Sequence, residues 1–161
     1  MKKQFLLLTS VLIAVCFTAQ SQLQPVVLSE GPAEHFAKSA IHPAILANFQ
    51  SRYPNASDDA WAKTENGYLV NFVYDNIQHN VFLNKKGKMT SQIRFYSEKE
   101  LPTTIRDRVT DLYTCFTIGA VKEVTTKNSI AYLVTISNAT SWKVIRVAGD
   151  EMDVFEEHKK G

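Results

Sequence analysis

The stretch Gly67-Tyr-Leu-Val-Asn-Phe-Val-Tyr74 decides the fold of this chain. Successive side chains of a β-strand point to opposite faces, so residues two apart share a face. One face of this stretch collects four large side chains, Tyr68, Val70, Phe72 and Tyr74. Side chains of that size at that spacing need a hydrophobic core to cover them. The stretch therefore predicts a strand that lies on the core.

The pattern continues on both sides of this strand. Asn76 marks a turn, Gln78–Leu83 can return as a strand, and Met89–Phe95 can form another after the turn at Asn84–Lys88. Before the central strand, a polar loop leads into a strand at Ala60–Thr64. Together these segments predict an antiparallel meander.

Two helices are predicted, one before each set of strands. The first covers about Pro43–Arg52, with proline at a first-turn position where its missing N–H costs nothing, and Pro54 ends it. The second opens at Leu101-Pro102, and its apolar stripe comprises Ile105, Val109, Leu112 and Phe116. The later strands are predicted at about Ile118–Thr126, Ile130–Ser137, Ser141–Val147 and Glu151–Glu156.

The two halves carry matching residues at offsets of 59 to 64 positions. The pairs are Pro43 with Pro102, Tyr68 with Tyr132, Val70 with Val134, Phe72 with Ile136, and Met89 with Met152. One unit alone would leave its sheet half covered, so we expect the two to share a sheet and a core. The predicted fold class is α+β, with two tandem helix-plus-antiparallel-meander units sharing one sheet and helices on one face. Unit one covers about residues 41–96 and unit two about 101–156, in a single domain at 41–158 that follows an N-terminal arm at 22–40.

The N-terminus has the pattern of an export signal. Lys2-Lys3 precedes the apolar run Phe5–Phe17, and Ala19-Gln-Ser21 supplies the small residues that signal peptidase recognises. The apolar run is short for a membrane span. We expect residues 1–21 to be a cleaved signal peptide and the protein to be periplasmic or secreted. A lipid anchor at Cys16 is the alternative.

The balance of charge argues against a nucleic-acid partner. Eighteen basic residues face sixteen acidic ones, and the two lysines of Lys2-Lys3 would leave with the signal, which brings the two signs into balance. A nucleic-acid-binding domain normally carries a basic excess. No later stretch has the length and hydropathy of a membrane span. We therefore expect no nucleic acid and no transmembrane segment after signal removal.

Residues with catalytic or metal-binding chemistry do not form a recognisable set. His35 and His42 are seven apart but have no further ligand near them, and Asp58 and Asp59 are interpreted as solvated loop carboxylates. Cys115, the only cysteine after the signal, has no histidine nearby and is interpreted as a partly buried structural thiol. The motifs of serine hydrolases, zinc peptidases and phosphate loops are missing from the sequence. The sequence therefore predicts no catalytic residues, no metal, no cofactor and no enzymatic activity.

Several motifs, in order, resemble those of the β-lactamase-inhibitor-like, PepSY-like domain family. They are Phe49-x-x-x-Tyr53-Pro-Asn-Ala56, Trp61-x-Lys63, Gly67-Tyr-x-Val70-x-Phe72 and the turn Lys85-Lys-Gly-Lys-Met89. The resemblance covers roughly Pro43–Phe155, although the second unit lacks the Tyr-Pro that ends the first helix. It implies an exported bacterial protein with helices packed on an antiparallel sheet and no known catalytic residues. It also implies an inhibitor-like mode, in which the helix-free sheet face grips another protein.

Strict alternation predicts which side chains occupy the helix-free face. Aromatic residues and arginine are the types that most often anchor protein interfaces. The predicted protein-binding residues are Leu69, Val73, Phe82, Arg94, Tyr96, Leu133, Trp142, Val144 and Arg146. Trp61 is interpreted instead as a structural residue at a strand edge.

The sequence thus predicts an exported, non-enzymatic binding module that engages an unidentified protein of the cell envelope. A periplasmic small-ligand carrier is the alternative, and it would need an internal cavity. A hydrolase is the remaining alternative, and it would need distant residues to meet in space.

Overall fold

One antiparallel sheet and two helices make up the computed structural model, which describes residues 35–161. The predicted signal peptide at 1–21, and the arm as far as residue 34, lie outside the described residues. The sheet has nine strands in sequence order, and each strand pairs with the next along the chain. The strands are β1 His35–Phe36, β2 Ser57–Thr64, β3 Gly67–Tyr74, β4 Ile77–Asn84, β5 Met89–Ser97, β6 Thr117–Thr126, β7 Ile130–Ser137, β8 Ser141–Ala148 and β9 Glu151–Lys159. The helices are α1 Pro43–Arg52 and α2 Thr103–Leu112. The α+β class is therefore confirmed.

The hairpin turns follow directly from local sequence. Asp75 and Asn76 both take positive φ, 52° and 60°, as a two-residue turn between β3 and β4 requires. In the next turn the side-chain oxygen of Asn84 accepts hydrogen bonds from the backbone N–H groups of Lys86 and Lys88, at 2.9 and 3.0 Å. Asparagine commonly closes turns through its own side chain in this way. These turns fix the register of β3, β4 and β5.

Helix α1 covers a first hydrophobic cluster on β2, β3 and β4. Phe49 of α1 meets the Phe72 ring edge-on at 4.9 Å between centroids and the Trp61 ring at 5.1 Å. Tyr53, which follows α1, packs on Phe72 at 4.7 Å. Trp61 is 2% exposed, so its structural role is confirmed, but in the core and not at a strand edge. The predicted core face of β3 is confirmed by Val70 and Phe72, both fully buried here.

Helix α2 covers a second cluster on β6, β7 and β8, built around Val109, Val134 and Ile145. The predicted apolar stripe of this helix is wrong at its end. Leu112 is the last residue of α2 and is 64% exposed, because the chain leaves the helix there and turns toward β6. Cys115 lies in the same turn and is exposed, so the prediction of a partly buried thiol is also wrong.

A β-bulge at Thr90 reverses the faces of β5 relative to the sequence prediction. Phe82 of β4 pairs with Ser91, but Leu83 pairs with Met89, which leaves Thr90 as an extra residue. The Thr90 hydroxyl donates a hydrogen bond to the carbonyl of Phe82 at 3.1 Å. An extra residue in one strand moves every later side chain to the other face.

Two predicted binding residues are therefore wrongly assigned to the helix-free face. Arg94 pairs with His79 across β4 and β5, and His79 is buried on the helix side. Tyr96 is 8% exposed and belongs to the second hydrophobic cluster. The alternation rule was sound, but the bulge interrupts it between Met89 and Ser91.

Candidate protein-binding site

The outward face of the sheet is formed by the side chains that alternate with those of the two clusters. The strand register places seven of the nine predicted residues on it: Leu69, Val73, Phe82, Leu133, Trp142, Val144 and Arg146. It also adds residues that the sequence prediction missed, because the bulge brings out the other side of β5. On β5 these are Phe95 and the buried Ile93, and on the neighbouring β6 the residues paired with them are Lys122 and Val124.

The part of the outward face on β3, β4 and β5 is uncharged. Its side chains are aliphatic, aromatic or amide: Leu69, Asn71, Val73, Gln78, Asn80, Phe82, Ser91, Ile93 and Phe95. The first charge in the direction of β6 is Lys122, whose ammonium lies 5.6 Å from the centre of the Phe95 ring. Such a cation over an aromatic face gains electrostatic attraction without leaving water. An apolar patch with a cation at its border is the result.

The far edge of the outward face is aromatic and charged. The Trp142 ring stacks on His158 of β9, with 4.2 Å between centroids and 16° between planes. Arg146 pairs with Asp153 at 2.8 Å. The last strand was predicted to end at about Glu156, whereas β9 extends to Lys159 and holds His158 against Trp142. The edge therefore has a fixed aromatic pair.

Arg94 and Tyr96 instead take part in a polar cluster on the helix side, which also includes His79, Gln92 and Glu123. Arg94 lies 3.3 Å from both carboxylate oxygens of Glu123, and the Tyr96 hydroxyl donates to the same carboxylate at 2.6 Å. The side-chain nitrogen of Gln92 lies 2.7 Å from Nδ1 of His79. These contacts satisfy polar groups where β4, β5 and β6 pass between the two hydrophobic clusters.

The surroundings of Glu123 keep two nearby phenols, those of Tyr96 and Tyr132, protonated. Burial, and then the hydrogen bond to Glu123, raise the pKa of Tyr96, so its phenol stays protonated. Burial also raises the pKa of Tyr132, with the Glu123 charge adding to the effect. A phenol kept protonated is a hydrogen-bond donor and not a nucleophile. The arrangement is therefore suited to holding the sheet together.

The folded state should lose stability as the pH falls through the range in which His79 takes up a proton. Burial, and then the nearby Arg94 charge, lower the pKa of His79 in the folded protein. The unfolded chain then binds more protons than the folded one, so stability is complete above the ordinary histidine pKa and decreases below it. We expect the urea concentration at the midpoint of unfolding to decrease as the pH is lowered from about 7 to about 5. The dependence of this midpoint on pH should become weaker in His79→Gln but not in His158→Gln. Equal pH dependence in the two variants would contradict the assignment of the effect to His79.

The other candidate groups from the sequence have structural partners or stand apart. Asp59 accepts hydrogen bonds from Lys38 at 2.8 Å and from the Trp61 indole at 2.9 Å, and it is not simply solvated. His42 caps α1, since its Nδ1 accepts from the backbone of Ala44 at 3.3 Å. Over residues 35–161, no three His, Cys, Asp or Glu side chains are grouped as a metal site needs. Neither helix in this range combines the length and the apolar character that crossing a membrane requires.

The chain has a BLIP-like fold. The sequence matches no protein-family model and no curated protein. Among solved structures, a BLIP-like protein from Bacteroides fragilis is similar, with a TM-score of 0.55 and 16% identity over 75% of this chain and 89% of that one.

Two other solved structures share the arrangement. A DUF2874 family protein from Bacteroides uniformis has a TM-score of 0.56 and 15% identity, over 74% of this chain and 89% of its own. A Bacteroides eggerthii protein, provisionally assigned to the periplasm, has a TM-score of 0.56 and 12% identity, over 73% and 88%. Likeness at this level of identity shows the fold alone. It confirms the β-lactamase-inhibitor-like resemblance as a fold, and the PepSY-like part of that resemblance stays a prediction.

Proposed function

We propose that this protein is an exported, non-enzymatic binding module that grips another protein of the cell envelope with the outward face of its sheet. The observation that carries the proposal is the strand register, which gathers the half-buried side chains of Leu69, Val73, Phe82 and Phe95 around the buried Ile93 in one uncharged patch. Contiguous apolar surface beyond what a monomer needs is typical of interaction sites. The aromatic edge at Trp142 and the cation of Lys122 supply the polar border that such sites have.

The proposed partner is a folded protein that offers an apolar, uncharged surface. The β3–β5 part of the outward face has no charge with which to recognise an ionic partner. Charged side chains are depleted at the centres of protein interfaces and more common at their rims. Lys122 and Arg146 lie outside the uncharged β3–β5 part of the outward face and take the place of such a rim. An inhibitor-like mode, in which the sheet face blocks an enzyme, is one form that this binding would take. The similar fold of a BLIP-like protein supports it.

We also propose that the domain consists of two tandem copies of one unit, with both helices on the same face of the shared sheet. Both helices have ten residues and end alike: the N–H of Tyr53 bonds to the carbonyl of Phe49 at 2.9 Å, and that of Tyr113 to Val109 at 2.9 Å. These hydrogen bonds recur at an offset of sixty residues. Register supports the common face, because Arg94 pairs with both His79 and Glu123 on the helix side. Two copies would make the outward face long enough to hold a protein surface.

Export to the periplasm or the outside is part of the same proposal. The signal-like pattern at residues 1–21 supports it. A periplasmic assignment of a protein with a similar fold agrees with it. A partner would then be sought in the cell envelope.

Trp142→Ala and Phe82→Ala should each fold normally and weaken partner binding by about tenfold to a hundredfold, as truncated interface anchors do. Leu112→Ala is the matched control, because it removes an exposed apolar side chain at the end of α2, away from the outward face. The partner is captured from the cell envelope with the wild-type protein, and its Kd is then measured for each variant by surface plasmon resonance. Circular dichroism checks folding.

Equal Kd values for the wild type and all three variants would contradict the proposal, even if a protein is captured. Loss of folding in both Trp142→Ala and Phe82→Ala would show that these side chains belong to a core.

A further inference from the structure

A half-open cavity of about 150 Å³ lies between α1 and the β4–β5 turn, outside the outward face. Its floor is apolar and consists of Phe49, Val81, Leu83 and Met89. The first three are buried members of the hydrophobic cluster under α1. An apolar cavity of about this size holds one benzene-sized molecule.

The rim of this cavity is cationic. Arg52 at the end of α1 and Lys86 and Lys88 in the turn line it, and no acidic side chain does. Within residues 35–161, none of these three cations takes part in an ion pair. Cations beside a low-dielectric wall attract an anion more strongly than cations on an open surface. The chemistry of the cavity is therefore that of an anion with a small apolar body.

The corresponding place in the second half of the chain holds a longer side chain, which is bonded to the turn. Sixty residues after Asn48 stands Arg108, whose guanidinium donates to the carbonyls of Gly149 and Asp150 at 2.7 and 2.9 Å. Asn48 is shorter and makes only one contact of 3.4 Å, to the carbonyl of Gly87. The second turn also carries Asp150 where the first carries lysines. The first half thus has a short side chain and three cations beside the cavity, where the second half has an arginine bonded to the turn and an aspartate.

We propose that this cavity is a binding site for a small aryl carboxylate, with the ring on the floor of Phe49 and Met89 and the carboxylate among Arg52, Lys86 and Lys88. A chain that ends in an aromatic residue presents the same chemistry as a free aryl acid. The site is independent of the outward face, and protein binding there does not need it.

The test is an NMR titration of the ¹⁵N-labelled protein with benzoate. Amide signals of Asn48, Tyr53 and Met89 should shift and saturate, with a Kd on the order of a millimolar, as expected for a ligand of this size. Benzyl alcohol has the ring without the charge, and acetate has the charge without the ring. Each should bind at least about fivefold more weakly than benzoate. If benzyl alcohol bound as tightly as benzoate, the role of the cations would be overturned. If acetate bound as tightly as benzoate, the role of the apolar floor would be overturned. If benzoate caused no saturable shifts, the whole proposal would be overturned.

Variants separate a built site from general attraction to positive charge. Arg52→Gln and Lys86→Gln should each weaken benzoate binding about threefold or more, whereas Lys127→Gln removes an exposed cation from another turn and should leave it unchanged. Asn48→Arg adds a cation but should block the cavity with a longer side chain that bonds to the turn, as Arg108 bonds to the carbonyls of Gly149 and Asp150. It should therefore weaken binding at least threefold. Tighter binding by Asn48→Arg, or equal losses in all three glutamine variants, would contradict the proposal.

The two sources of the ligand are distinguished by comparing benzoate with N-acetylphenylalanine. Tighter binding of the acetylated residue indicates the end of a peptide chain, and tighter binding of benzoate indicates a free aryl acid. Either result supports the carboxylate site, and failure of both probes to bind overturns it.

Discussion

Replacing Phe72 by alanine is expected to lower the free energy of unfolding by about 3–5 kcal/mol, the range for truncation of a buried aromatic side chain. Phe72 is 2% exposed and lies at the centre of the cluster under α1. It meets the rings of Phe49 and Tyr53 at 4.9 and 4.7 Å and stacks on His79 at 5.1 Å with 20° between the planes. Alanine would remove every one of these contacts and leave a cavity that β3 and β4, paired on both sides, have little freedom to close.

The measurement is urea unfolding followed by near-ultraviolet circular dichroism. Val73→Ala is the matched control, because Val73 neighbours Phe72 in β3 but points to the outward face and is only half-buried. We expect it to cost about 1 kcal/mol or less. Similar losses in the two variants would show that the faces of β3 are not divided as described.

Gly67→Ala is expected to destabilise the protein by at least about 3 kcal/mol or to prevent folding. Gly67 begins β3 with a φ of +154°, and an added Cβ would lie 1.9 Å from the carbonyl oxygen of Leu83. The atom that it meets is backbone in the neighbouring strand, so no side chain can swing aside. The two strands would have to separate at the start of the meander.

Gly149→Ala separates this clash from the general cost of positive φ. Gly149 has a φ of +56°, and nothing lies within 4 Å of an added Cβ. Only the cost of a left-handed residue applies, about 1–2 kcal/mol. Thermal unfolding of both variants gives the comparison, and an equal loss in each would mean that the close approach at Gly67 has no energetic weight.

Local sequence was sufficient wherever one residue imposes a conformation on its neighbours. Asp75-Asn76 adopts the positive φ angles that a two-residue hairpin turn demands, and the helix at Pro43–Arg52 has the predicted bounds. The α+β class and the core face of β3 followed from periodicity for the same reason. Leu112 shows the limit of this reasoning: it continues an apolar period of α2, yet the helix ends there and leaves it exposed.

The residues of the candidate site could be predicted from the sequence only on strands whose side chains alternate without a bulge. Leu69 and Phe82 were placed correctly because β3 and β4 pair without interruption across a two-residue turn. Arg94 and Tyr96 were placed wrongly because the bulge at Thr90 shifts the alternation of β5 by one residue. No residue near Thr90 announces a bulge, since threonine is as common in regular strands.

The sequence by itself determined the class of the fold, the turns and the side of the central strand that meets the core. These depend on the conformational preferences of residues close together in the chain, and on the need of large apolar side chains to leave water. Only the tertiary structure decided which side chains of β5 face outward, and that Asn48, Lys86 and Lys88 line a cavity beside α1. Such features arise where segments distant in sequence compete for the same position, and the outcome depends on both segments at once.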